Sequence, residues 1–208
     1  MKPSRFLVYC LFLVITVMAF PGQVRGGGET ILKSNLQSGA YIGPAFKFSN
    51  INSHPGTFVG FHGGWVINNR FVIGAGFYEL IGNIDLRTIE IAIPETLSQQ
   101  SNYLGMRYGG VEFEYIHQHY RKIHLVASLL LGSGSVGTRE RGTLFIKNGD
   151  RTFFVAEPGL MLEFNILPFL RLTMGVSWRF IERFSSPVID SSEIQGINGM
   201  LFIKLGSF

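Results

Sequence analysis

Cysteine is almost missing from this sequence: Cys10 is the only one. It follows Tyr9 inside an apolar N-terminal run, whereas lipoprotein attachment wants a small residue before the cysteine and a completed run. No disulfide framework is therefore expected. Charge is scarce as well. Asp, Glu, Lys and Arg make up 15% of the 208 residues, against about 25% in ordinary soluble domains. The formal balance of +4 is dispersed. Pairs such as Arg121-Lys122 never extend into a basic run, so no nucleic-acid partner is expected. Long apolar runs are missing beyond Phe20. The longest, Leu125 to Leu131, is far shorter than the roughly 20 residues that a spanning helix needs.

The chain is rich instead in glycine, with 26 residues, and in phenylalanine, with 19. Low charge with many glycines and aromatics fits a β-protein with a large non-aqueous surface. The N-terminus is a unit of its own. Lys2 and Arg5 precede an apolar stretch from Phe6 to Phe20, and Pro21-Gly22 follow it. This is the order of a secretory signal peptide, expected over 1–22. Val17-Met18-Ala19 offers small residues for cleavage after Ala19, with Gly22 and Gly26 as the alternatives. An uncleaved anchor is the rival reading, and the run is short for one. A short N-terminal segment over 23–37, expected in the periplasm, leads into the remaining domain, 38–208.

In that domain the recurring signal is alternation with a period of two. Between residues 170 and 180 every even position is large and apolar, while every odd one is polar or glycine. A strand places Arg171 and Arg179 on one face; a helix would scatter them. Eight strands are expected, over 39–49, 57–67, 70–83, 103–117, 122–136, 152–164, 169–182 and 197–207. Most reach the roughly nine to eleven residues of a tilted membrane-crossing strand. Tight turns at Asn68-Asn69, 118–121 and 165–168 alternate with longer connections over 50–56, 84–102, 137–151 and 183–196. Transmembrane barrels have this asymmetry of short inner turns and long outer loops. The expected fold is all-β: a closed, antiparallel, up-and-down transmembrane barrel of about eight strands following a signal peptide.

Placed in lipid, the apolar stripe of residues 170–180 faces outward and its arginines face the lumen. The same sorting puts Lys47, His62, His124, Glu157, Glu163 and Lys204 inside. Arg107 has the opposite parity to Glu112 and Glu114, and a β-bulge at Gly109-Gly110 would bring all three to one face. The expected lumen network is then Lys47, Arg107, Arg171, Arg179 and Lys204 against Glu112, Glu114, Glu157 and Glu163. An eight-stranded barrel is only wide enough for side chains to fill, and unpaired interior charges are costly. A plugged, salt-bridged lumen follows, with glycines such as Gly43, Gly60, Gly74 and Gly76 making room for long side chains.

With its signal segment, eight strand-like runs, Trp65, Trp178 and several tyrosines, the chain resembles the small eight-stranded outer-membrane β-barrel proteins of Gram-negative bacteria. That superfamily holds porin-like and adhesin-like barrels. The likeness covers about 38–208. Its members end in an amphipathic strand with a terminal aromatic read by the barrel-assembly machinery, and Phe208 matches that ending, although Gly206 stands where a further aromatic is usual. The resemblance implies an outer-membrane location, the lipid bilayer and the assembly machinery as partners, and a structural, adhesive or minor small-solute role.

No catalytic residue, cofactor-binding set or metal site is expected. His117, His119 and His124 read as a solvated turn, with no cysteine or nearby carboxylate to complete a ligand set. Leu131 to Gly137 is glycine-rich but lacks the lysine and helix of a phosphate loop. His62 or His124 with Ser128 would be the dyad of an outer-membrane lipid hydrolase, the main alternative. A secreted lipocalin-like barrel holding an apolar ligand is the third reading. In the loop 84–102, the alternation from Ile89 to Ile93 reads first as strands extending beyond the membrane and second as an exposed apolar surface for an extracellular ligand.

Overall fold

The computed structural model describes residues 37–51, 54–82, 84, 102–140, 148–182 and 189–208. The expected signal peptide, Cys10, nearly all of 23–37 and most of the loop 84–102 lie outside the described residues. Eight strands follow one another: β1 (Ser38–Ile51), β2 (His54–Ile67), β3 (Phe71–Leu80), β4 (Asn102–His117), β5 (Ile123–Glu140), β6 (Asn148–Leu167), β7 (Leu170–Ile181) and β8 (Gly196–Ser207). A single helical turn, α1 (Ser191–Ile194), precedes β8. Each strand pairs antiparallel with the next, and β8 returns to β1, so the sheet is a closed barrel. Closure satisfies the backbone N–H and C=O groups within the ring and leaves no open edge. Among the described residues, no helix is long and apolar enough to cross a membrane.

The tight turns explain the register. Asn68 and Asn69 have φ of 52° and 54°, and the Arg70 N–H donates to the Ile67 carbonyl at 3.1 Å. Two successive left-handed residues make the turn whose twist matches a hairpin, and asparagine tolerates that conformation better than other side chains do. Asn68→Val should therefore lower the unfolding free energy by about 1–2 kcal/mol, while Asn69→Gly leaves it unchanged or raises it. Urea midpoints of the refolded barrel measure both.

At the opposite end, β5 and β6 run further than the sequence suggested. The expected connection 137–151 shrinks to 141–147, because the ladder continues past Val136 to Thr138↔Asn148 through a register shift. Alternation weakens there, so periodicity underestimated the strands. The turn α1 was also unforeseen. Asp190 precedes it and its N–H bonds the Glu193 carboxylate at 3.0 Å. The spacing Asp-x-x-Glu is a helix-start signal in its own right.

Burial alternates along the strands without the inversion expected in β4. Even residues from Leu104 to Ile116 that carry side chains are buried, and Gly109-Gly110 pair in unbroken register with β3 and β5. No bulge is present there. The outward face is apolar: Phe61, Trp65, Phe77, Leu160, Val176 and Phe180 are all exposed. The inward face carries most of the buried charge. Water-soluble proteins have the reverse arrangement.

Candidate functional site

The site that this architecture builds is the lumen, where charged or histidine side chains from every strand except β3 meet. Glu157 on β6 accepts from the Lys47 Nζ at 2.8 Å, the Tyr108 hydroxyl at 2.9 Å and the Ser177 hydroxyl at 2.5 Å. Lys47 also lies 3.6 Å from the centroid of the Tyr78 ring, so its charge is held by a carboxylate and an aromatic face together. Nearer the tight turns, Glu163 is a four-partner carboxylate. Its Oε1 accepts from the Arg171 guanidinium at 2.8 Å and from the His124 ring at 3.0 Å. Its Oε2 accepts from Thr173 at 3.1 Å and faces the Lys204 Nζ at 2.8 Å. Lys204 in turn bridges to Glu114 at 2.6 Å, whose other oxygen accepts from the Tyr41 hydroxyl at 3.0 Å.

Arg179, at the other end of β7, is fully buried. It donates to the Ile194 carbonyl at 2.9 Å and the Ser49 hydroxyl at 3.0 Å, and lies over the Phe58 ring. The short turn α1 thus contributes a backbone acceptor to the plug. Arg139 ties β5 to β4 and to the segment just after β3 there: it donates to the carbonyls of Leu104, at 3.1 Å, and of Gly82.

The lumen therefore brings together Lys47, Glu112, Glu114, Glu157, Glu163, Arg171, Arg179 and Lys204, four cations and four carboxylates, all buried. Arg107 is a correction to the expected set. Its parity turns it outward, opposite Glu79 in the ladder and with its Nε donating to the Ser135 hydroxyl at 3.2 Å. The position is near the end of the barrel wall away from the tight turns. A charge on the outer face costs little there, because the penalty falls to roughly 0–1 kcal/mol at an interface.

Phe208 shares the inward face of Lys204. It stacks on Tyr41 with ring centroids 6.0 Å apart and lies under the Arg171 guanidinium at 3.8 Å. Tyr41, Tyr78 and Tyr108 were not foreseen as lumen residues. Each supplies a hydroxyl to a carboxylate, Tyr78 to Glu112 at 2.8 Å. Their parity could have revealed them, since they share strand faces with Lys47, Gly76 and Glu112.

The three histidines of the 117–124 stretch separate. His117 is exposed at the end of β4, His119 is half-buried in the turn, and His124 points inward. Burial pushes the His119 imidazole below its ordinary value, and the cations around it, Arg70 first, add to the shift. The His–Ser dyad does not assemble among the described residues. Both His124 nitrogens are engaged, by Glu163 and the Arg121 carbonyl at 3.2 Å, and neither His62 nitrogen has a hydrogen-bond partner.

No family model matches the sequence, and no curated protein matches it. Solved structures do match. The N-terminal β-barrel domain of Pseudomonas aeruginosa OprF is similar with a TM-score of 0.54 at 9% identity, covering 82% of this chain and 98% of that domain. This is the fold of the small outer-membrane barrels. Neisserial surface protein A, NspA, is similar at a TM-score of 0.50 and 12% identity, covering 83% of this chain and 97% of its own. Identities this low carry the fold alone. What such a barrel has in common with this one is architectural: a closed eight-stranded wall around a narrow interior.

Proposed function

We propose that the chain is an integral outer-membrane barrel of a Gram-negative bacterium, exported by its signal segment, whose filled lumen makes it a rigid structural or adhesive platform. One observation carries this reading: the apolar side chains face outward while an ion-paired network fills the interior. That inversion suits a wall solvated by lipid. It does not suit a lipocalin-like protein, which needs a polar exterior and an apolar cavity. The plug leaves solute passage little room, so function falls to the surface connections.

Fractionation tests the reading. The protein should sediment with the envelope, require detergent for release, and migrate faster on an unheated gel than on a heated one. Recovery in the soluble fraction without detergent would remove the proposal. Phe208 is the proposed contact for the assembly machinery, and a chain lacking it should yield several-fold less heat-modifiable barrel in cells. Equal yield would assign Phe208 only to packing on Arg171.

A further inference from the structure

We propose that His62, Glu112 and Glu114 form a buried binding site for one divalent transition-metal ion, with Zn²⁺ the ion best matched to the set. The three residues each offer a ligand atom, and these atoms lie within 4.8 Å of one another. The His62 Nδ1 stands 3.7 Å from the Glu112 Oε2. Two ligands about 2.0–2.1 Å from a tetrahedral ion are separated by about 3.3 Å, so a small side-chain adjustment closes the set around a metal.

The surroundings favour an ion there. His62 is 1% exposed, and neither of its ring nitrogens has a hydrogen-bond partner. The Glu112 Oε2 is likewise buried without one, its Oε1 alone being held by Tyr78. Buried polar atoms are seldom left this way, since each costs the desolvation of an unmade bond. Among the described residues, Lys47, Lys204 and Arg171 each form an ion pair with Glu157, Glu114 or Glu163. Glu112 has no such lysine or arginine. Its one ion-pair contact among the described residues is His62, so no permanent cation touches the carboxylate, and the Lys47 charge, bound to Glu157, reaches it only from a distance. A divalent ion supplies a counter-charge in contact and gives the orphaned nitrogen and oxygen a common partner.

The backbone is arranged to let these side chains meet. His62 is on β2 and Glu112 on β4, with β3 between them. The β3 residues in register are Gly76, opposite His62, and Gly74, opposite Glu112. Both lack side chains, so the imidazole reaches across β3. A Cβ on Gly76 would fall 2.7 Å from the Tyr78 hydroxyl that orients Glu112. Glu114 follows Glu112 on the same inward face. It keeps its bonds to Tyr41 and Lys204 and still has lone pairs to give. One imidazole with two carboxylates suits Zn²⁺, Co²⁺ or Ni²⁺ better than Ca²⁺ or Mg²⁺, which want six or more oxygens.

Co²⁺ serves as the probe. The purified protein is stripped with chelator, unfolded, refolded in detergent with Co²⁺ and desalted. One equivalent should remain, with the visible absorption of low-coordinate Co²⁺. X-ray absorption should show a single histidine nitrogen at about 2.0–2.1 Å beside oxygen ligands. His62→Gln and Glu112→Gln should each lower affinity by at least about tenfold, whereas His119→Gln leaves it unchanged. No retained metal, or equal retention in both lumen variants, overturns the proposal. If neither variant reaches the heat-modifiable form, the wild-type absorption spectrum decides: coordination with no histidine, or with several, overturns it. These outcomes are separate from the barrel's location, because a soluble barrel with this lumen would bind the same ion.

Discussion

Replacing Glu163 with glutamine should lower the unfolding free energy of the barrel by about 3–5 kcal/mol, the usual cost of breaking a buried ion pair from one side. The carboxylate is fully buried and holds Arg171, His124, Thr173 and Lys204 at once. Glutamine keeps the shape and removes the charge. Among the described residues, Glu114 is then left as the one carboxylate paired with Lys204, and Arg171 loses its ion-pair partner. The penalty arises from stranding cations in a low dielectric, so it should change little with ionic strength. Urea titration in detergent micelles, followed by gel mobility, reads it. The double variant Glu163→Gln with Arg171→Gln should lose less than the two single changes summed, by about 0.5–3 kcal/mol, because the residues share one network. By contrast, Glu79→Gln, near the outward rim beside Arg107, should stay within about 0.5 kcal/mol. A loss below about 1 kcal/mol for Glu163→Gln would mean that water screens the network, and that the lumen is a wet conduit.

The parts of this architecture written in local periodicity were legible in the sequence. Residues 170–180 announce their strand and its two faces, because apolar and polar positions alternate without exception. Asn68-Asn69 announces its turn, because only a few side chains tolerate two left-handed residues. Arg107 was misplaced for an identifiable reason. Its parity is opposite to that of Glu112 and Glu114, and a bulge at Gly109-Gly110 would gather all three charges on one polar face. The missing information was depth, since an arginine at the rim of the wall needs no such bulge. The partners within the lumen were not legible at all. His62 and Glu112 meet because two glycines on an intervening strand leave a gap, and that depends on the register of β2, β3 and β4 together. The expectation of no metal ligand set weighed the histidines clustered in sequence, whereas the structure gathers a different histidine with carboxylates from another strand.

Val176→Arg should destabilise the protein in a bilayer by about 2–4 kcal/mol, the depth-dependent cost of a guanidinium on the lipid face at the midplane. Val176 lies halfway along β7, faces outward and is 51% exposed. Its neighbours across the ladders, Leu160 and Gly199, offer the new charge no partner. The same substitution at Ile197, which pairs with Trp178 one residue inside the start of β8, should cost less than at Val176, because a long side chain there can reach toward the interface. Arg107→Leu should be similarly mild, since it removes a charge from the rim. The comparison separates the surrounding solvents as well as the sites. In water, arginine at a half-exposed surface valine would shift stability by no more than about 0.5 kcal/mol at either depth. Unfolding titrations in phospholipid vesicles measure all three variants. A flat profile across depth would deny that the outward apolar face meets lipid. A cost that rises toward Val176 would trace the thickness of the hydrocarbon on the barrel wall, and would place the ion-paired plug at the depth where no water reaches from outside the wall.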